Sequence, residues 1–509
     1  MFFRFVITNK GYLIMHIQAF GTLNYIVVFL YLTVILGIGV YFSRRQKSAD
    51  DYFKAGGRIP GWAAGISVFA TTLSSITFMS IPAKAYTGDW TFLAGQYVAI
   101  AVLPFVFWFY IPFFRKLNLT SVYEYLELRF DVKMRLFASF SFMIFHIGRI
   151  AIITYLTALA LIPFIEINPL TIVFVISILC IIYTFLGGIE GVIWTDVIQG
   201  IMLSFAGVLV FVMICFNVDG GVVEVFNMSA DADKFFPMDK FSWSWTDSTV
   251  PVVMIGFFFA SLQQFTASQD VVQRYIVTKN LEETKKSLVM NAKLVAVVPV
   301  FFFAVGSALF AYYSQQPDLL PDNFNTGGIL PFYIISQMPA GIAGLIIAAI
   351  FAASQSSISS SLNSISACFT SDVYCKINKQ ASSVQQLQIG RYVTVGAGLL
   401  SITASSYLVL ANESEIWNTF NSLLGLLGGP MTGLFMLGIF FRKATAKSAM
   451  LGVIVSVISV LFVKEYTHLN FFFYGVIGCI SVVIVGVIVS FFDKVNELNV
   501  DSSLTISTK

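Results

Sequence analysis

Residues 69–78 read FATTLSSITF and lie inside an apolar run from 60 to 87. A run of that length crosses a bilayer, since a helix needs about 20 mostly apolar residues to do so. Its middle does not suit a plain lipid-facing helix. Thr71, Thr72, Ser74, Ser75 and Thr77 place hydroxyls where a span is ordinarily most apolar. Hydroxyls can bond backbone groups that are freed when a helix opens. An opened helix then offers carbonyls to a cation and N–H groups to an anion. One reading is therefore the floor of an ion and solute site at mid-membrane. The other is that the hydroxyls bond back to their own helix or join it to a neighbour. This stretch alone leaves both open.

Of the 509 residues, 57% are hydrophobic and 11% charged, with a mean hydropathy of +0.82. Soluble chains carry about 25% charged residues, so a polytopic protein embedded in a lipid bilayer is expected. The net charge of +3 is too small to point to a nucleic-acid partner. The five cysteines show no CxxC and no metal spacing, which predicts free thiols. His16, His146 and His468 form no cluster. With no activated nucleophile and no metal box, neither enzymatic activity nor an organic cofactor is expected.

Residues 1–21 form a polar-aromatic lead-in without a cleavable signal, and Met1 and Met15 both offer a start. After a first span at 24–42 come Arg44, Arg45, Lys47, Lys54 and Arg58, which the positive-inside rule places in the cytoplasm. The N-terminus is then outside. Basic residues recur on alternate loops, at 115–116, 274–286, 376–379 and 442–447, whereas the acidic stretch 219–247 reads as external. About thirteen helices and a cytoplasmic C-terminus follow. Residues 170–186 and 190–216 are two spans joined by a tight turn at GGIE, and 328–337 is expected to be a short helix lying over the site.

A second run, 250–276, is also interrupted, by Ser261, Gln263, Gln264, Thr266 and Ser268. It stands five spans after the first. An odd offset reverses orientation, the mark of an inverted repeat. The expected division is an extra helix and cytoplasmic loop at 22–59, a five-helix repeat at 60–216 and an external loop at 217–249. A second, inverted repeat at 250–443 follows, then two helices at 444–492 and a tail at 493–509.

Arg149 lies mid-span, where a charge costs at least ~3 kcal/mol and must have a partner. It is either a clamp for an anionic solute, through the two-pronged grip of guanidinium on carboxylate, or half of a structural pair with Asp196. Asp196, in GGIEGVIWTDVIQG, is a cation ligand, that same pair, or a helix-start charge. Ser356, Ser360 and Ser364 fall on one helix face, with Ser357 and Ser361 alongside. Hydroxyl oxygens suit a hard cation, and small residues equally suit close helix packing. Gly425, Gly429 and Gly433 recur every fourth residue and read as close packing with a kink at Pro430.

FATTLSSITFMSIPAKAY, GQY, FHIGR, GGIEGVIWTDVIQG, QQFTASQDVVQRY, AAIFAASQSSISSSLNS and NSLLGLLGGPMTGLFMLGIF together resemble the sodium:solute symporter family, and within it the bacterial sodium/sialic acid (N-acetylneuraminate) symporters. The resemblance covers nearly all of 15–492. It implies an all-α, leucine-transporter-type inverted repeat with one extra N-terminal and two extra C-terminal helices. It also implies sodium-coupled import of an anionic sugar across the bacterial cytoplasmic membrane, by a monomer, with two sodium ions per substrate. A first sodium would meet the carbonyls of Ala70, Leu73 and Ala353 and the hydroxyls of Ser356 and Ser357. A second would meet Asp196, Ser356, Ser359 and Ser360. Arg149 would meet the carboxylate, with Ser74, Thr77 and Gln96 around it and Thr72, Phe92 and Phe257 on the wall. Another small organic acid or sugar as substrate is the alternative. A channel would need a continuous polar pore, and a sensor an added signalling domain; neither pattern is visible.

Overall fold

Breaks in helices, more than their lengths, set this architecture. The computed structural model describes residues 20–117, 119–162, 167–321, 324–411, 424–493 and 504–505, and all regular elements among them are helical. Nine helices are long and apolar enough to cross a membrane, and two bent pairs pass the same test together, among the described residues. Most of the lead-in, the first part of the expected 416–441 span and most of the tail lie outside them.

Helix α1 (Thr22–Ser43) and the short α2 (Ala49–Lys54) precede the first bent pair, α3 (Gly61–Thr72) and α4 (Ser75–Thr87). Leu73 and Ser74 between them are extended, with ψ of 107° and 167°, and the axis turns by 60°. Both readings of the hydroxyls are realised, at different residues. Thr71 and Thr72 donate back to the carbonyls of Ser67 (2.7 Å) and Phe69 (2.9 Å), and Ser75 bonds Thr157 of a neighbouring helix (2.8 Å). The opening falls at 73–74, where the chain is free of those bonds.

Next come α5 (Thr91–Leu117), α6 (Val132–Leu161) and α7 (Pro169–Asn217). A straight α7 of 49 residues would be about 70 Å long, more than twice a hydrocarbon core. It is divided at Gly188, with φ 55° and ψ −157°, a conformation essentially confined to glycine. This is the place of the expected GGIE turn. The second bent pair is α8 (Val250–Thr266) and α9 (Gln269–Ile276), at 51°.

Helix α10 (Leu281–Gln315) packs on α3 backbone to backbone: a Cβ on Gly61 or Gly65 would stand 2.2 Å from the Glu283 carbonyl or 2.4 Å from that of Ser287. Helix α11 (Ile329–Gln337) packs on α4, α10 and the helix that begins at Ile342, and none of its residues lines the cavity described below. Helix α12 (Ile342–Ile377) is the central element, buried without interruption from Ile346 to Cys368. It touches α1, α3, α6, α7 and α13 (Ser383–Ala411). Helices α14 (Leu424–Phe440), α15 (Ala446–Tyr466) and α16 (Phe472–Phe492) complete the molecule.

Candidate substrate and cation site

The two breaks and the serine face of α12 meet in one buried polar core. Arg149 of α6 donates to Asp270 Oδ2 (3.0 Å) and to the Thr71 carbonyl (3.0 Å). Asp270 is the second residue of α9, at a helix start that favours a carboxylate. Asp196 of α7 accepts from Ser67 (2.6 Å) and from Arg274 (3.1 Å). All four charged residues are buried. The alternative pairing of Arg149 with Asp196 is thereby corrected: each has its own partner. Arg274 is likewise not a cytoplasmic loop residue. The helix after the second break bends by 51°, stays buried in the core and carries Asp270 and Arg274 one turn apart.

The Ser356 hydroxyl donates to the carbonyls of Ala70 (2.9 Å) and Ala353 (3.2 Å), so these three converge. Ser357 lies beside them, donating to the Thr71 carbonyl (3.3 Å). Leu73 is buried one residue past the end of α3 and faces the cavity described below. In the second expected set, Ser360 contacts Asp196 Oδ2 (3.4 Å), Thr71 Oγ1 (3.0 Å) and Arg274. Ser359 donates to the Ser356 carbonyl (3.3 Å). Asp196 Oδ1 is buried and accepts no hydrogen bond from any described residue. His146 bonds Ser361 (2.9 Å) and packs on the Phe142 ring.

Beside this core lies a cavity of about 340 Å³, a size suited to a small-molecule ligand. Arg149 is on its wall, with Thr72, Ser74 and Thr77 from the first break, Phe92 and Gln96 from α5, and Phe257 from α8. All seven residues expected around a substrate thus share one wall. Sequence reasoning missed three others. Phe472, from the last helix, packs on Phe92 (5.9 Å) and Phe257 (5.6 Å), and nothing in a repeat-based reading points to it. Ser268 enters the sequence reading only as part of the interruption. Lys84 carries a signal of its own: it stands seven residues after Thr77, on the same helix face.

The profile of the sodium:solute symporter family matches residues 52–456. The chain is 77% identical over 487 residues to the sodium/sialic acid symporter NanT of Aliivibrio fischeri, covering 96% of each. It is 66% identical over 493 residues to the sodium/sialic acid symporter SiaT of Proteus mirabilis, covering 96% of this chain and 99% of that one. A solved substrate-bound, outward-open structure of a Na+-coupled sialic acid symporter matches with a TM-score of 0.89 at 65% identity, over 93% of this chain and 98% of that one. The nucleobase-cation-symport transporter Mhp1, 13% identical, shares the fold at a TM-score of 0.57, over 87% of this chain and 94% of that one. These likenesses bear out the leucine-transporter-type fold. Paired helix breaks, a serine-lined central helix and a profile match spanning most of the chain agree: the protein belongs to the sodium:solute symporter family.

Proposed function

We propose that this protein imports sialic acid, N-acetylneuraminate, together with sodium across the bacterial cytoplasmic membrane by alternating access. The observation that carries the reading is Arg149, whose guanidinium is fixed by Asp270 and the Thr71 carbonyl on the wall of a cavity beside an opened helix. A guanidinium so held presents its remaining N–H groups to a carboxylate. Ser74, Thr77 and Gln96 supply neutral hydrogen bonds for sugar hydroxyls, and Thr72, Phe92 and Phe257 complete the wall. The likeness to two sodium/sialic acid symporters supports this choice of anion. Its relatives are symporters, and the protein is not an enzyme.

Sodium is cargo here. The first ion would take oxygens from Ala70, Leu73, Ala353, Ser356 and Ser357, where carbonyls and hydroxyls already converge. The second would take Asp196 with Ser356, Ser359 and Ser360. The unbonded Asp196 Oδ1 supports it, because buried carboxylate oxygens are ordinarily satisfied. Ser356 and Ser359 would have to rotate their hydroxyls away from carbonyls to join. The N-terminus is outside, the C-terminus inside, and a monomer suffices. By the positive-inside rule Lys84, Phe92 and Phe471, all on the cavity lining, stand at the external ends of their helices.

Uptake of labelled N-acetylneuraminate into proteoliposomes tests the reading. Accumulation should require an inward sodium gradient and be blocked by unlabelled N-acetylneuraminate. Uptake that ignores sodium, or that another organic acid supports far better, overturns it.

A further inference from the structure

The charge of Arg149 is largely cancelled close by. Asp270 sits 3.0 Å from it, so the pair projects little net field beyond the site. A second cation lies on the same cavity wall. Lys84, in the last turn of α4, has its amine 3.8 Å from the centre of the Phe92 ring. Among the described residues it makes no ion pair and its amine no hydrogen bond. Asp89, in the turn after α4, instead accepts from the Thr91 N–H (2.7 Å). The aromatic face steadies the ammonium without neutralising it. Among the described residues Lys84 is thus an uncompensated positive charge of a cavity with aromatic walls, and low-dielectric walls focus such a field.

Its place on α4 fixes the role. Thr77 and Lys84 are seven residues apart, which is about 10 Å along the helix. Arg149 stands at the break, bonded to the Thr71 carbonyl, and Lys84 stands at the opposite end of α4 on the same cavity lining. We propose that Lys84 is an outer anion-receiving station. The carboxylate of an incoming sugar acid docks on it first and then moves inward to Arg149. The inference rests on the reading of an anionic sugar substrate.

A charge at the rim of a binding site acts on capture rate and its salt dependence more than on final hold. The test is initial uptake in proteoliposomes at N-acetylneuraminate well below saturation, with sodium fixed and ionic strength raised by choline chloride. Competition by the uncharged methyl ester is measured in parallel. Lys84→Gln should slow uptake of the acid about tenfold at low ionic strength, with the deficit shrinking as salt screens the field. Its inhibition constant for the ester should stay at the wild-type value. Lys84→Met, also neutral, should behave alike, and Lys84→Arg should approach wild type. Acid uptake unchanged in Lys84→Gln, a salt-independent deficit, or an equal loss for the ester overturns the station. A wild-type protein that takes up no acid with sodium overturns the substrate reading, and the station with it.

Discussion

Arg149 already has a carboxylate partner, and on the proposed reading that is what fits it to hold a second one. Its planar fork has five donors, of which Asp270 and Thr71 use two, so the ring of charge is oriented and not exhausted. Lysine keeps the charge but cannot serve Asp270, a backbone carbonyl and a substrate in one plane. Arg149→Lys should therefore fold and lose tenfold or more in affinity for N-acetylneuraminate, read by calorimetry at saturating sodium. Arg149→Glu sets a second carboxylate beside Asp270 and should abolish uptake; near-normal uptake by that variant would end the clamp hypothesis. Arg149 was legible in the sequence because it is a lone charge in a long apolar span. Its partner was not. Asp270 and Arg274 follow a polar interruption and precede Lys279, so counting loop charges placed Arg274 on the cytoplasmic side and passed over Asp270. The breaking of the span concealed that the chain after it stays in the core.

Among the elements, the breaks were the most legible, because hydroxyls and amides in the middle of an apolar run must bond something, and an opened backbone or a neighbouring helix is what the membrane interior offers them. The hinge in α7 was equally visible as GGIE. Gly188 combines φ 55° with ψ −157°, and a Cβ there would stand 2.8 Å from the Tyr52 ring. Gly188→Ala should cost about 1–3 kcal/mol from strain alone, seen as a fall in the thermal unfolding temperature with substrate affinity retained at low temperature. An unchanged unfolding temperature would mean the backbone relaxes there freely. The serine face of α12 was legible as a pattern but not as a division of labour, since packing and ion binding want the same small polar residues. In the structure Ser356 donates to the Ala70 carbonyl at the end of α3, whereas Ser359 donates within its own helix. Ser356→Ala should raise the sodium needed for half-maximal sugar binding about tenfold, ~1.4 kcal/mol, and Ser359→Ala should raise it less. Equal, small shifts in a sodium titration would make packing the purpose of the stripe. The position of α11 was not legible, because an apolar nine-residue helix says nothing of which neighbours it will cover.

At the scale of the whole molecule the question is what the coupling can accomplish. Neutral pH lies far above the pKa of the substrate carboxyl, so the sugar acid is an anion and one sodium per sugar moves no net charge. A tenfold sodium gradient alone then gives ~1.4 kcal/mol, or roughly tenfold accumulation. Two sodium ions give about 2.8 kcal/mol from the gradient and carry one net positive charge inward. At about 100 mV that charge adds ~2.3 kcal/mol. The sum, roughly 5 kcal/mol, corresponds to between three and four orders of magnitude of accumulation. Asp196, with one carboxylate oxygen unbonded, is where the second ion belongs on this account. Uptake should therefore be electrogenic, with a sodium Hill coefficient above one. Asp196→Ala should weaken transport and flatten its sodium dependence. Arg149 keeps Asp270 in that variant, so substrate binding at saturating sodium should survive in part. Arg274, by contrast, loses its carboxylate in a fully buried site, and removing one partner of such a pair costs about 3–5 kcal/mol. Asp196→Asn, which keeps the shape and an oxygen for Ser67 and Arg274, is the necessary companion: both variants should flatten the sodium dependence, and the alanine should lower the unfolding temperature more than the asparagine. The deciding measurement is wild-type uptake with and without a potassium–valinomycin potential, inside negative. If that potential changes neither the rate nor the final accumulation, no net charge moves, one sodium accompanies each sugar, and Asp196 serves to hold Arg274.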